Sequence, residues 1–184
     1  MVYLFLADGF EEIEALTPVD LFRRAGVSVK TVGVTGVSVT GSHGIKVESD
    51  VTLAEALDEV KSDGAELEMI VLPGGMPGAA NLDASDGVDA FIKEALSRDA
   101  YLAAICAAPM IYGKRGLLDG RDATCYPGFE KYLEGAKYYE ASVIVDGNFI
   151  TSDGMGSALD FALQLVSLLK GEDEAERLAE SVRA

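Results

Sequence analysis

Three stretches of this chain, Val2 to Ala7, Met69 to Leu72 and Tyr101 to Ile105, are apolar at consecutive positions over the length of a strand. Successive side chains of a strand point to opposite faces, so a strand that is apolar throughout must be covered on both sides. That requirement excludes a sheet with one wet face. It calls for parallel strands joined by crossover helices, an α/β arrangement. The intervening segments supply the helices. Glu11 to Ala25 carries Ile13, Leu16, Leu21 and Phe22 and is stopped by Gly26, and Pro18 inside it predicts a kink near Ala15 to Thr17. Leu53 to Val60, Val88 to Leu96, and Ala107 to the Gly113–Gly116 region also read as helices. So does Ser157 to Lys170, with Leu159, Ala162, Leu163, Val166 and Leu169 on one face and Gly171 as its stop. Val27 to Val34 gives a second strand, followed by an excursion, Val37 to Thr40 and Ile45 to Val47, around the turn Gly41-Ser42-His43-Gly44. Val143 to Val145 and Phe149 to Thr151 flank Asp146-Gly147-Asn148 as a hairpin decorating the parallel sheet. With 184 residues and no internal repeat or linker, the chain reads as one domain spanning 1–184.

Charge narrows the partners. Acidic residues outnumber basic ones 31 to 15, a formal charge of −16, and the basic residues form no stripe. Nucleic acid and anionic membrane are therefore not expected partners, because like charges repel. No apolar run approaches the roughly 20 residues that a membrane-spanning helix needs. The apolar N-terminus runs straight into Asp8, Glu11, Glu12 and Glu14 without a preceding basic stretch, so it reads as a first strand rather than a signal peptide. The run Gly171 to Glu174 and the helix after it read as a solvated terminal face. Cys106 and Cys125 lie in unlike contexts, which argues against a structural disulfide and for a reducing cytoplasmic setting.

One histidine, no Cys-x-x-Cys pair and no Gly-Lys-Ser/Thr after a glycine loop exclude structural zinc and a P-loop nucleotide site; no cofactor or metal is expected. The informative segment is Leu102-Ala103-Ala104-Ile105-Cys106-Ala107-Ala108-Pro109, in which a buried strand meets a helix at Cys106 among small residues. A thiol at such an elbow faces free N–H groups and a helix N-terminus, which favour its thiolate. The competing reading is a cysteine that only fills space at the end of an apolar strand. Strand carboxyl ends of a parallel sheet converge on one rim, so Glu11, Glu12 and Glu14 after the first strand reach towards Cys106. Glu11 and Glu12 are accounted for by the helix dipole, whereas Glu14, between Ile13 and Ala15 and just before Pro18, stands apart as the partner. The loop Pro73-Gly74-Gly75-Met76-Pro77-Gly78 leaves the same rim. The N–H of Gly75, paired with that of Ala107, forms a candidate oxyanion hole; an ordinary tight turn is the alternative.

Taken together, Glu-Glu-Ile-Glu at 11–14 with Pro18-Val19-Asp20 and Arg23-Arg24-Ala25-Gly26, Leu72-Pro73-Gly74-Gly75, Ala104 to Pro109, and Thr151-Ser152-Asp153-Gly154-Met155-Gly156 resemble the DJ-1/PfpI superfamily in its DJ-1 (ThiJ) branch, over nearly the whole chain. The resemblance implies a flavodoxin-like three-layer sandwich with a mostly parallel sheet. It implies a homodimer, to which Asp20, Arg23 and Arg24 would contribute. It implies Cys106 as the reactive cysteine, Glu14 as its protonated carboxyl partner, and Gly75 and Ala107 as amide donors. It further implies a cofactor-free conversion of glyoxals to hydroxy acids or removal of early glycation adducts from thiols and amines, with chaperone activity or oxidative-stress sensing through a cysteine sulfinate as the alternative. Many members carry a histidine before the proline matching Pro127; here that place is Tyr126, so the proton transfer falls to Glu14 with Tyr126 as helper. Gly74, Tyr126 and His43 are the remaining expected substrate contacts, His43 either as an anion contact or as a polar turn residue.

Overall fold

The computed structural model describes residues 1–62 and 64–184. Its first strand, β1 (Val2–Leu6), leads into α1 (Glu12–Arg24), which runs unbroken through Pro18. Then come β2 (Val29–Gly33), the excursion β3 (Ser38–Thr40) and β4 (Lys46–Glu48), and a two-residue strand β5 (Val51–Thr52). Helix α2 (Leu53–Val60) starts at Thr52, whose side chain and that of Glu55 satisfy each other's backbone N–H groups in a capping box. β6 (Met69–Leu72) is followed by a short α3 (Gly78–Asp83), α4 (Asp86–Ser97), β7 (Tyr101–Ile105) and the five-residue α5 (Pro109–Gly113). The chain closes with β8 (Asp122–Ala123), β9 (Lys137–Tyr138), β10 (Val143–Asp146), β11 (Phe149–Ser152), α6 (Ala158–Lys170) and α7 (Glu172–Val182).

Seven strands form one sheet in the order β10-β11-β7-β6-β1-β2-β5, parallel throughout except for the β10–β11 pair. Side-chain alternation divides the core in two. Val2, Leu4 and Leu6 of β1 join Met69, Val71, Ala103 and Ile105 beneath α1 and α6. Tyr3 and Phe5 join Ile70, Leu72, Leu102 and Ala104 beneath α2 and α4, where the Phe91 ring lies 4.9 Å from Phe5 and 5.1 Å from Tyr3. Both faces of the central strands are dry, as their continuous apolarity requires, and the result is the three-layer α/β sandwich with a mostly parallel sheet. After β1 the chain moves to β2 on one side, and after the excursion it returns to β6 on the other. The order of strands reverses between β1 and β6, the place where open parallel sheets form crevices at their carboxyl ends.

Four expectations change. The pair β10–β11 does more than decorate the sheet, because β11 pairs in parallel with β7 and completes it. The glycine-proline loop ends sooner than expected, with Gly78 already opening α3. The helix expected from Ala107 begins only at Pro109, since residues 106–108 first form a turn and Pro109 has no N–H to give. The terminal helix α7 is not wholly solvated: Ala175 and Leu178 are buried in the core beneath α6. No helix among the described residues is long and apolar enough to cross a membrane.

Candidate active site

Three strand ends meet at the reversal of strand order. β7 delivers Cys106, β1 and its loop deliver α1 with Glu14, and β6 delivers Gly74 and Gly75. Cys106 adopts φ +64°, a left-handed conformation that costs a side-chain-bearing residue energy. Two backbone hydrogen bonds hold it there: its N–H donates to the Ser152 carbonyl at 2.8 Å, and its carbonyl accepts from the Tyr126 N–H at 2.8 Å. The turn is an elbow that lifts the partly exposed sulfur out of the strand towards the rim.

Glu14 is 1% exposed and sits against that sulfur, hydrogen-bonded to it. Its Oε2 also accepts the N–H of Gly74 at 2.9 Å. Burial raises the Glu14 carboxyl from 4.5 to about 7, against the pull of its hydrogen bonds to Cys106 and Gly74. Burial likewise pushes the Cys106 thiol up to about 12, helped by the neighbouring Glu14 charge, while the nearby N–H groups of Gly75 and Ala107 pull it down. The thiol depressed by a helix N-terminus is thus not what the structure gives. The helix that follows Cys106, α5, is five residues long and starts at Pro109, too short and too late to outweigh burial. Glu14 and Cys106 titrate as a pair: the first proton leaves near 7, and a second is held to about 12. Around and above neutrality the pair carries one proton and one negative charge. When that proton rests on the carboxyl, the sulfur is the anion, facing two N–H donors.

The glycines are required by close approach. A side chain on Gly74 would place its Cβ 2.7 Å from both Cys106 Cβ and Glu14 Oε2. Gly74 therefore positions Glu14 and lets the loop touch Cys106, which differs from the substrate contact expected of it. Gly75 has φ +83°, and a Cβ there would lie 2.4 Å from the Glu11 nitrogen.

His43 is not brought to Cys106. Its ring Nδ1 bonds Glu12 Oε2 at 3.0 Å with its side chain 68% exposed, and its N–H donates to Glu12 Oε1 at 2.8 Å. The His43 pKa is raised by the bond to Glu12 and by the charges of Glu11 and Glu12. Glu12 is not the surface acid of a helix dipole either. It is 4% exposed and pins the β3–β4 turn; burial would raise its carboxyl, but the His43 ring and the N–H groups of His43 and Ile45 hold it down to about 2. Glu12's role is invisible to local pattern because its partners lie some thirty positions away. Donor atoms of Glu11, Glu12 and His43 come within 4.8 Å of one another, but they are occupied by each other, by Ser42 and by turn amides.

Tyr126 is 49% exposed beside the elbow. Together with Pro127 and the turn Asp153 to Ser157 it lines an open hollow of about 290 Å³. Asp153 and Met155 belong to the Thr151–Gly156 motif, which carried the resemblance but no expected role in the site. Cys125, by contrast, is fully buried, and burial raises its thiol to about 12.

A family model described as DJ-1/PfpI family matches residues 1–168. Protein dj-1beta of Drosophila melanogaster is 34% identical over 182 residues, covering 97% of this chain and 94% of that protein. Its crystal structure matches the fold with a TM-score of 0.92 over 100% of this chain and 97% of that one. Protein DJ-1 homolog B of Arabidopsis thaliana is 37% identical over 95% of this chain, but the chain spans only 39% of that longer protein. A Caenorhabditis elegans protein named glutathione-independent glyoxalase DJR-1.2 is 31% identical over 91% of this chain and 87% of its own length.

Proposed function

The chain belongs to the DJ-1/PfpI family, and from that premise we propose that it is a cysteine-dependent, cofactor-free enzyme converting 2-oxoaldehydes such as methylglyoxal, free or as adducts on thiols and amines, to 2-hydroxy acids. The observation that carries this reading is the left-handed Cys106 elbow, with buried Glu14 against it and the N–H groups of Gly75 and Ala107 nearby. The glyoxalase name of the C. elegans relative supports the same reaction class.

In the proposed sequence the Cys106 thiolate adds to the aldehyde carbon, forming a C–S bond and an alkoxide that the two amides stabilise. Glu14 gives its proton to the alkoxide and becomes the carboxylate. It then takes the hydrogen from the same carbon as a proton and returns it to the neighbouring carbonyl carbon, while the hydroxyl proton passes to the neighbouring oxygen, leaving a thioester of the hydroxy acid. Water cleaves the thioester, releasing the acid and the thiol and restoring the shared proton. No electrons leave or enter, so no nicotinamide or flavin is needed. Tyr126 stands beside the elbow where a helper could act.

A second reading uses the same atoms. If peroxide oxidises Cys106 to a sulfinate, protonated Glu14 and the Gly75 and Ala107 amides supply donors for its oxygens, and the protein acts as an oxidative-stress sensor or chaperone. The proposal includes a homodimer using the outer face of α1, where Ile13 is 49% exposed, with Ile45 of the β3–β4 turn, 53% exposed, beside it; light scattering tests it. Arg23 and Arg24 are already paired with Asp50 and Asp20 on that side.

The deciding experiment is methylglyoxal turnover without glutathione. Wild type should produce lactate, Cys106→Ser should not, and Glu14→Gln should lose about 10²- to 10⁴-fold. Absence of turnover in wild type, with a stable Cys106 sulfinate after peroxide, replaces the enzyme by the sensor.

A further inference from the structure

The hollow beside the elbow has a recognition chemistry of its own. Its two walls are tied directly to Cys106: Tyr126 through its N–H to the Cys106 carbonyl, and Asp153 through Ser152, whose carbonyl takes the Cys106 N–H. Tyr126 and Met155, an aromatic ring and a thioether side chain, both line it, and each residue is 49% exposed. Asp153 lines the same hollow, half-buried, with Oδ1 accepting the Ser157 hydroxyl. Among the described residues Asp153 forms no salt bridge, and no lysine or arginine lines the hollow. Asp153 differs in this from Asp20, Asp50, Asp83, Asp89 and Asp146, which pair with an arginine, and resembles the many other acids of this acidic chain that do not.

A fixed carboxylate with an uncommitted oxygen, beside an exposed aromatic face and a polarisable thioether, is complementary to a flat cation. The carboxylate takes charge-assisted hydrogen bonds, and the ring and the sulfur take the cation's face. We propose that this hollow is a cation subsite, matched best by a guanidinium, for the molecule that presents its carbonyl to Cys106. The inference rests on Cys106 as the reacting group of the proposed function, and goes beyond it by naming the carrier. Neutral oxoaldehydes enter without help from the subsite, arginine- or lysine-bearing adducts are drawn in, and carboxylated or phosphorylated aldehydes are turned away by Asp153.

The test does not need turnover. Cys106 is titrated with aminoethyl methanethiosulfonate, a cation, and sulfonatoethyl methanethiosulfonate, an anion, in each of which the thiolate displaces methanesulfinate to form a mixed disulfide. Rates are normalised to neutral iodoacetamide, and mass mapping assigns the label to Cys106. Asp153→Asn, which keeps an acceptor for Ser157, should lower the cation-to-anion rate ratio by about three- to tenfold, the scale of one partly exposed ion pair with a cation–π contact. Tyr126→Leu should lower it in part, Asp153→Glu should keep a clear cation preference, and Glu172→Gln on distant α7 should leave the ratio unchanged. A ratio unaltered in Asp153→Asn, or lowered equally by Glu172→Gln, overturns the subsite, since the attraction then belongs to the net charge. No labelling of Cys106 by any reagent, iodoacetamide included, overturns the proposed function itself and the subsite with it.

Discussion

Glu14→Gln should make the protein more stable at alkaline pH while leaving it unchanged near pH 4.5. Burial of this 1% exposed carboxyl raises it from 4.5 to about 7. The native state therefore holds a proton that the unfolded chain has released between those values. Stability from this group is fully present below 4.5 and is lost as pH rises towards 7, after which the loss is constant. At about 1.4 kcal/mol for each factor of ten in proton affinity, the gap amounts to about 3 kcal/mol. Gln has the same shape, can accept the Gly74 N–H in place of Oε2, and can donate to the sulfur, so the substitution removes the ionisation and little else. Urea unfolding at a fixed protein concentration, run at pH 4.5, 6, 7 and 8 on both proteins, gives the difference directly, and groups common to both cancel. The variant should gain with pH up to about 3 kcal/mol and then level off. A difference that is constant across this range, or that favours wild type more as pH rises, refutes the account of Glu14 as a buried acid kept neutral.

The remaining predictions concern its neighbours. Alkylation of Cys106 by iodoacetamide should rise through about pH 7, where the Glu14–Cys106 pair loses its first proton, while fully buried Cys125 stays unlabelled; a rate that is flat from pH 5 to 9, or preferential labelling of Cys125, contradicts the shared proton. Gly75→Ala forces a left-handed alanine whose Cβ meets the Glu11 nitrogen. It should cost roughly 2 kcal/mol, read as a fall of about 4 to 8 °C in Tm, and should slow Cys106 labelling as the amide moves off the sulfur. Glu12→Gln should lower the His43 pKa towards its ordinary 6.5, followed through the single histidine's imidazole signal by NMR, because the bond to Glu12 is what raises it.

Legibility in the sequence followed the range of the interactions. β1, β6 and β7 were visible because a doubly covered strand writes apolarity at every position, and α2 was visible to both ends because its period and caps are local. β5, β8 and β9 have two residues each, too few for any period. Cys106, Glu14 and the paired glycines could be read because small residues, acids and glycines at strand ends are unusual locally. The function of Glu12 could not be read, since a buried acid is distinguished from a surface one only by the turn folded over it. The acidity of the thiol was misjudged because the length of α5, and the depth of the sulfur, belong to tertiary structure.

The hydrogen bond from Cys106 to Ser152 also sets a timetable for synthesis. β7 has its partner on one side, β6, as soon as it is made, but on the other side it must wait for β11, whose Ser152 lies 47 positions after its neighbour Ile105. At a translation rate of about 5 to 20 residues per second, that edge stays open for roughly 2 to 10 s. It is a strand apolar on both faces with unpaired N–H and C=O groups, the kind of template on which a second chain can add. Until Ser152 arrives, the elbow also lacks the carbonyl that receives the Cys106 N–H. The nascent chain is thus most prone to misassociation during the interval in which its thiol has not yet been given its reactive geometry.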